Sequence, residues 1–155
     1  MWKSLYDSIL QTLAGSWAKY LSTNGAPGRL VRETFFNTIY PYSGLILIAV
    51  IIIATLLYYF YFNRRFGRYY KLRCWLLWML LSSLIIGITT YFLAKSYMSS
   101  FLCPTSLLVI WQSVINFFWG IILFLFLSIF CQLVVIAVRK IFSYDLSPMG
   151  NRTPF

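Results

Sequence analysis

Lys95 has three serines within the next five residues, and this group is the chain's strongest candidate for catalysis. A desolvated lysine can remove the proton of a serine hydroxyl and so make it a nucleophile. The serines are Ser96, Ser99 and Ser100. Lys95 follows a long apolar run, however, and a lysine in that position extends its amine to the lipid head groups. We therefore expect no serine hydrolase.

The other residue types that support catalysis or metal binding are few and widely separated. The chain has no histidine, and its only acids are Asp7, Glu33 and Asp145. Its three cysteines, at wide spacings, are Cys74, Cys103 and Cys131. This spacing indicates neither a disulfide framework nor a metal site, and no glycine-rich phosphate loop is present. The sequence predicts a non-catalytic protein with no cofactor and no metal.

The composition is that of a membrane protein. Of 155 residues, 61% are hydrophobic and only 10% are charged, compared with about a quarter charged in ordinary globular proteins. The chain has 13 Lys and Arg but only three Asp and Glu, which gives a net charge of +10. A surplus of cations favours contact with anionic lipid head groups.

Three charge-free runs are long enough to cross a bilayer, which takes about 20 helical residues. They cover residues 43–62, 74–94 and 106–138. The third is longer than one upright crossing, so either it tilts or its first two turns lie in the interface. We favour a span over residues 112–138. The sequence thus predicts an all-α integral membrane protein whose three transmembrane helices lie within residues 43–140, followed by a short tail at 141–155.

The segment between the first two spans is strongly basic. It carries five cations in residues 63–73, whereas residues 95–105 carry one. By the positive-inside rule, this loop and the C-terminus are cytoplasmic and the N-terminus lies outside. Eleven residues held between two spans cannot follow a nucleic-acid groove, so we expect lipid head-group anchoring by Arg64, Arg65, Arg68, Lys71 and Arg73. The surrounding aromatics predict an interfacial belt: Tyr58, Tyr59, Tyr61, Tyr69, Tyr70, Trp75 and Trp78.

The N-terminal segment, residues 1–42, opens with an amphipathic pattern. Apolar residues recur at helical spacing through residues 2–21, which predicts one helix, and the turn-forming stretch STNGAPGR ends it. Its apolar face includes Trp2, Leu5, Ile9, Leu13 and Trp17. Such a helix lies in the membrane interface as an anchor, or serves as the element through which the protein assembles or gates.

Small and polar residues interrupt the second and third spans. The second carries a stripe of small residues within about 60° of arc: Ser83, Gly87, Thr90 and Ala94. Such stripes let helices approach closely, either within one chain or between subunits. The third carries a polar set that we interpret as pore-lining or interhelical, because a buried amide needs a partner or water: Gln112, Ser113, Asn116, Gly120 and Gln132.

Two functions fit these features, and we favour the first because polar residues on two spans most simply indicate self-association. In the first, copies assemble into a homo-oligomeric pore or channel of weak selectivity, lined by uncharged amides and hydroxyls. In the second, the protein is an accessory, anchoring or scaffold subunit of a larger membrane complex. The layout of three spans, with the N-terminus outside and the C-terminus inside, resembles that of phage holins, a likeness without a shared motif. That resemblance implies a bacterial inner membrane and hole formation.

Overall fold

Helices make up nearly all of the described chain. The computed structural model describes residues 2–62, 72–101 and 105–142, with side chains for residues 3–4, 6–59, 73–101 and 105–131. The helices are α1 (Trp2–Ala14), α2 (Trp17–Thr34), α3 (Tyr40–Leu56), α4 (Leu72–Met98) and α5 (Ser106–Phe142). Two π-helical segments, π1 (Phe35–Ile39) and π2 (Leu57–Phe62), precede and follow α3. The all-α prediction is confirmed for these residues.

Three helical stretches of the described chain are long and apolar enough to cross a membrane, as predicted: Trp17–Tyr59, Arg73–Met98 and Ser106–Cys131. The first of them runs from α2 through α3 into π2. Helix α4 has 27 residues, about 40 Å at 1.5 Å per residue, against a hydrocarbon core of about 30 Å. Helix α5 is continuous from Ser106 and has no break at Gln112, where we expected the span to begin. Its first turns pack on protein, since Leu108 and Val109 are buried.

The prediction of one helix over residues 2–21 is wrong at Gly15. That residue has a φ of 99°, a left-handed conformation in which glycine commonly ends a helix. Helix α2 then begins anew, and the Ser16 side chain accepts a hydrogen bond of 3.3 Å from the Lys19 N–H, as an N-cap does. The apolar periodicity runs across this break, so it cannot reveal it.

The stretch STNGAPGR kinks α2 instead of ending it. Gly25 has φ 58° and ψ −134° inside the helix, which changes the direction of the chain. Pro27 follows two residues later, in the first turn of the resumed helix, where its missing N–H has no helical partner to lose. Helix α2 then runs without interruption through π1 into α3.

The helices pack around two cores. Helices α4 and α5 form the most extensive contact, α3 packs on both, and α1 packs mainly on α5. The α1-end core comprises Tyr6, Leu10, Trp17, Val31, Phe35, Ile39, Tyr40, Ala94, Met98, Leu108, Val109 and Ile115. The loop-end core comprises Leu47, Ile51, Ala54, Tyr58, Tyr59, Trp75, Met79, Ile86 and Phe124.

The second core corrects part of the predicted aromatic belt. Tyr58, Tyr59 and Trp75 are buried inside the bundle and do not face lipid head groups. The Trp78 indole is half-buried and donates a 2.9 Å hydrogen bond to the Ala54 carbonyl, so it joins α4 to α3. Tyr61, Tyr69 and Tyr70 lie outside the described side chains. Aromatic residues serve cores and interfaces alike, so their type alone does not distinguish the two.

Candidate functional site

Four polar side chains from three helices meet inside the α1 end of the bundle. The Tyr6 hydroxyl of α1 donates to the Asn116 side-chain oxygen of α5. Gln112 Nε2 of α5 donates to the Ser43 hydroxyl of α3 at 3.2 Å. All four residues are 0% exposed. We call Tyr6, Ser43, Gln112 and Asn116 the polar cluster.

The local sequence explains how these groups converge. Gln112 and Asn116 are four residues apart on α5, so they project from the same face of that helix. Ser43 stands at the start of α3, where its hydroxyl also donates to the Tyr40 carbonyl at 3.1 Å. Tyr6 lies on the apolar face of α1, and its ring stacks on that of Tyr40 with centroids 5.6 Å apart. The apolar face of α1 thus brings one hydroxyl to the Asn116 amide of α5.

The cluster is only partly satisfied by protein groups. Within the part of the chain that the structure describes, buried Gln112 Oε1 and Asn116 Nδ2 have no hydrogen-bond partner. An unpaired buried polar group costs about 1–3 kcal/mol. Burial raises the pKa of the Tyr6 hydroxyl well above its ordinary value, while the nearby Ser43 hydroxyl acts in the opposite direction. Tyr6 is therefore held as a neutral donor.

Asp7 holds the corner between α1 and α2. Its carboxylate accepts a 2.6 Å hydrogen bond from Gln11 Nε2 and another of 2.6 Å from the Trp17 indole. Gln11 lies one turn farther along α1, whereas Trp17 is the first residue of α2 beyond the Gly15 break. Hydrogen bonds to a carboxylate are among the stronger ones in proteins, so Asp7 ties α1 to the first residue of α2.

The predicted small-residue stripe and part of the polar set of the third span face each other between α4 and α5. The Ser113 hydroxyl donates to the Gly87 carbonyl, and Gly120 lies against Ser83. Thr90 is buried and donates to the Ile86 carbonyl of its own helix at 2.8 Å, and Ala94 belongs to the α1-end core. These contacts all lie within one chain.

The remaining predicted site residues are distributed as follows. Ile9 is half-buried against the α1-end core, Leu13 is exposed, and Trp17 is buried in that core. Arg73 is exposed at the start of α4. The side chains of Trp2, Leu5 and Gln132 lie outside the described ones, as do residues Arg64, Arg65, Arg68 and Lys71.

Sequence reasoning missed Tyr6 and Ser43 of the polar cluster, and Asp7 beside it. Asp7 had a local signal, because Gln11 stands four residues later and such pairs bond along a helix. Tyr6 shares the spacing of the apolar face, and a buried tyrosine hydroxyl normally requires a partner. Nothing local indicates Ser43, whose Gln112 partner lies 69 residues away.

The hydroxyls of two serines near Lys95 bond to backbone carbonyls of α4. The Ser99 hydroxyl donates to the Ser96 carbonyl at 2.9 Å, and the Ser100 hydroxyl to the Tyr97 carbonyl at 3.5 Å. Lys95 is exposed, and its Nζ lies 5.8 Å from the centre of the Tyr91 ring.

Comparison with known proteins found no relative of this chain. No protein-family model matches the chain, and neither a curated protein nor a solved structure shows significant similarity to it.

Proposed function

We propose that the protein is a non-catalytic integral membrane protein that acts as an accessory or anchoring subunit of a larger membrane complex. The observation that carries this proposal is the location of its polar groups. Gln112 and Asn116 are wholly buried within one chain. The exposed large side chains of α3, α4 and α5 whose placement is described are aliphatic or phenylalanine except Tyr42, Arg73, Lys95 and Tyr97, which lie near helix ends. Apolar outer faces suit lipid or the helices of another subunit, and they do not suit a water-filled lumen.

The N-terminal region supplies a surface through which such a subunit can attach. Ile9 and Leu13 of α1 form an apolar groove with Trp111, Phe118 and Trp119 of α5, with a volume of about 290 Å³. This groove exists only while α1 is docked through Asp7 and the polar cluster. We place the contact with a partner's apolar helix in this groove.

The proposed orientation follows the distribution of cations. With the basic loop at residues 63–73 in the cytoplasm, α1, α2 and the polar cluster lie at the outer side of the membrane. We place the protein in the bacterial inner membrane because of its holin-like layout, so the partner would contact the chain from the periplasmic side.

A size measurement tests the proposal. The tagged protein, solubilised from its native membrane in a mild detergent, should migrate as a larger particle than the same protein expressed alone, which should be a monomer. Leu13→Lys places a charge in the groove and should reduce the native particle to the monomer without preventing insertion. Thr12→Lys, on the exposed polar face of the same helix, is the matched control and should leave the particle intact. Identical sizes for both preparations would contradict the proposal.

One observation favours the pore as a second candidate. Gln112 Oε1 and Asn116 Nδ2 have no partner among the described residues, and water is the natural partner of such atoms. If copies assemble into a pore, the protein expressed alone should be a discrete homo-oligomer that passes ions in reconstituted vesicles. Asn116→Leu should then abolish flux while the oligomer persists, because a leucine ring at a constriction favours dewetting.

The same variant gives a different result for an accessory subunit. There Asn116→Leu removes the acceptor of Tyr6, so α1 should loosen from α5, and neither the variant nor the parent should pass ions. Flux and particle size, measured on one preparation, separate the two functions.

A further inference from the structure

A groove with one polar end runs between α4 and α5 near the turn that joins them. Its volume is about 300 Å³. The polar end carries the Lys95 amine and the side chains of Ser99, Thr105 and Ser106, and the rest is lined by residues such as Tyr91 and Val109. Lys95 is the last charged residue before the turn, so the polar end lies where a spanning helix leaves the hydrocarbon.

A second groove continues along the same pair of helices. It has a volume of about 300 Å³ and is lined by apolar residues such as Leu84, Ile88 and Phe117. Tyr91 lines both grooves, so the two adjoin at its side chain, and we call the pair the furrow. From Lys95 to Leu84 this furrow follows eleven residues of helix, about 16 Å, which is about half the hydrocarbon thickness of a bilayer.

The charge at the polar end has no counterpart in the nearby sequence. The only acids of the chain are Asp7, Glu33 and Asp145, so none lies between residues 34 and 144. Lys95 contacts the face of Tyr91, which holds the amine above the point where the two grooves meet. A cation and several hydroxyls at head-group depth, followed by an apolar channel one leaflet long, match a phosphate followed by an acyl chain.

We propose that this furrow binds one phospholipid, with its phosphate at Lys95 and one acyl chain along Tyr91, Ile88 and Leu84. The inference uses the proposed insertion into a membrane, but it holds for an accessory subunit and for a pore alike. We expect a lipid of the bilayer and not a free anion, because a free anion would contact only the polar end and leave the apolar half of the furrow empty.

Native mass spectrometry of the full-length protein in detergent tests the site. Three probes separate its parts: dioleoyl phosphatidylglycerol, dioleoylglycerol with the same chains and no phosphate, and inorganic phosphate with no chain. We expect one phosphatidylglycerol per chain, weaker binding of dioleoylglycerol and none of phosphate. Equal binding of the two lipids would exclude a phosphate contact, and binding of phosphate alone would make this an anion site without a lipid.

Substitutions locate the contacts. Lys95→Gln should weaken the binding of phosphatidylglycerol about fivefold, because one lysine near an anionic surface contributes about 1 kcal/mol. Lys95→Arg should retain most of the affinity. Lys19→Gln, at another exposed lysine, is the control and should have no effect. Equal losses in the two glutamine variants would mean nonspecific attraction and would overturn the proposal.

The apolar half has its own matched pair. Ile88→Trp places an indole in the furrow and should weaken the binding of both phosphatidylglycerol and dioleoylglycerol. Ile52→Trp, on the exposed face of α3, should leave the binding of both unchanged. Both positions are about half-exposed, so neither variant disturbs the core. Unchanged binding in Ile88→Trp would show that the acyl chain does not lie between α4 and α5. None of these outcomes depends on the particle size or ion flux that tests the proposed function.

Discussion

Gly120 of α5 lies so close to Ser83 of α4 that a methyl group at Gly120 would be crowded. A Cβ atom there would stand 3.0 Å from the Ser83 Oγ and 3.2 Å from the Ser83 Cα. The hydroxyl can turn aside, but the backbone can yield only if the helices separate. This contact sets the distance between the two helices that form the most extensive pair in the bundle.

Gly120→Ala should therefore destabilise the bundle by about 1–3 kcal/mol, the usual cost of overpacking. Gly87→Ala is the matched control on the facing helix, because its Cβ would meet Phe117 at an ordinary 3.5 Å. We expect the control to be neutral. The free energy of unfolding, measured by denaturant titration in detergent micelles, compares the two. Equal losses would mean that the spacing between the helices is set elsewhere.

The spans and the all-α class could be read directly from the sequence, whereas most polar contacts could not. An uninterrupted apolar run must be helical in lipid, because no water is present to satisfy its backbone. The partner of a polar group depends on how each helix is rotated about its axis, and that is fixed by packing. Asn116 was predicted to need a partner, yet nothing near it in sequence identifies Tyr6, 110 residues away.

The break at Gly15 could be predicted from the sequence only in part. Gly15 and Ser16 are typical of a helix end followed by an N-cap, so the signal was present. It was overridden by the apolar periodicity, which continues because Trp17 packs into the same core as Tyr6 and Leu10. Periodicity reports which side chains are buried, not whether one helix buries them.

Loss of the Asp7 carboxylate should release α1 from the bundle. Asp7→Ala removes the acceptor of both Gln11 and Trp17, and hydrogen bonds to a charged group contribute about 1.5–3 kcal/mol, with the lower end suited to this half-buried site. The start of α2 also loses its bond to α1 through Trp17, so we expect faster tryptic cleavage after Lys19, which is exposed in α2. Asp7→Asn keeps one acceptor oxygen and should be cleaved at an intermediate rate.

Ser8→Ala is the control for this effect, because Ser8 is exposed and its hydroxyl donates to the Ser4 carbonyl of its own helix. It should be cleaved like the parent protein. If Asp7→Ala is also cleaved like the parent, the carboxylate does not secure α1.

The docking of α1 should weaken in alkaline solution. Burial raises the pKa of Tyr6, whereas in undocked α1 the phenol ionises at about pH 10. Docking is therefore fully stabilised below about pH 10 and loses stability as the pH rises further, because the undocked phenol gives up its proton first. Spin labels at Ser8→Cys and Ile110→Cys, in protein whose native cysteines are replaced by alanine, should move apart above that pH.

Tyr6→Phe provides the comparison. It lacks both the hydrogen bond to Asn116 and the titrating group, so its α1 should be looser at neutral pH but less dependent on pH above 10. An identical alkaline transition in the two proteins would assign it to other groups.

The last prediction concerns which parts of the chain share a side of the membrane. Ala94 and Met98 at the end of α4 lie in the same core as Tyr6 and Trp17, so the α4–α5 turn and the N-terminal helices are at one end of the bundle. Cysteines introduced at Ser22 and Ser99, both exposed, should react with an impermeant thiol reagent from the same side. This result follows from the fold, whatever the orientation of the protein.

The positive-inside rule then fixes which side that is. In intact cells that express a variant without native cysteines, Ser22→Cys and Ser99→Cys should be labelled from outside. A cysteine at Gly67, in the basic loop, should react only after the membrane is permeabilised. Labelling of Gly67→Cys alone would invert the orientation and leave the fold intact. Labelling of Ser22→Cys and Ser99→Cys from opposite sides would contradict the docking of the N-terminal helices on the end of the bundle that holds the α4–α5 turn.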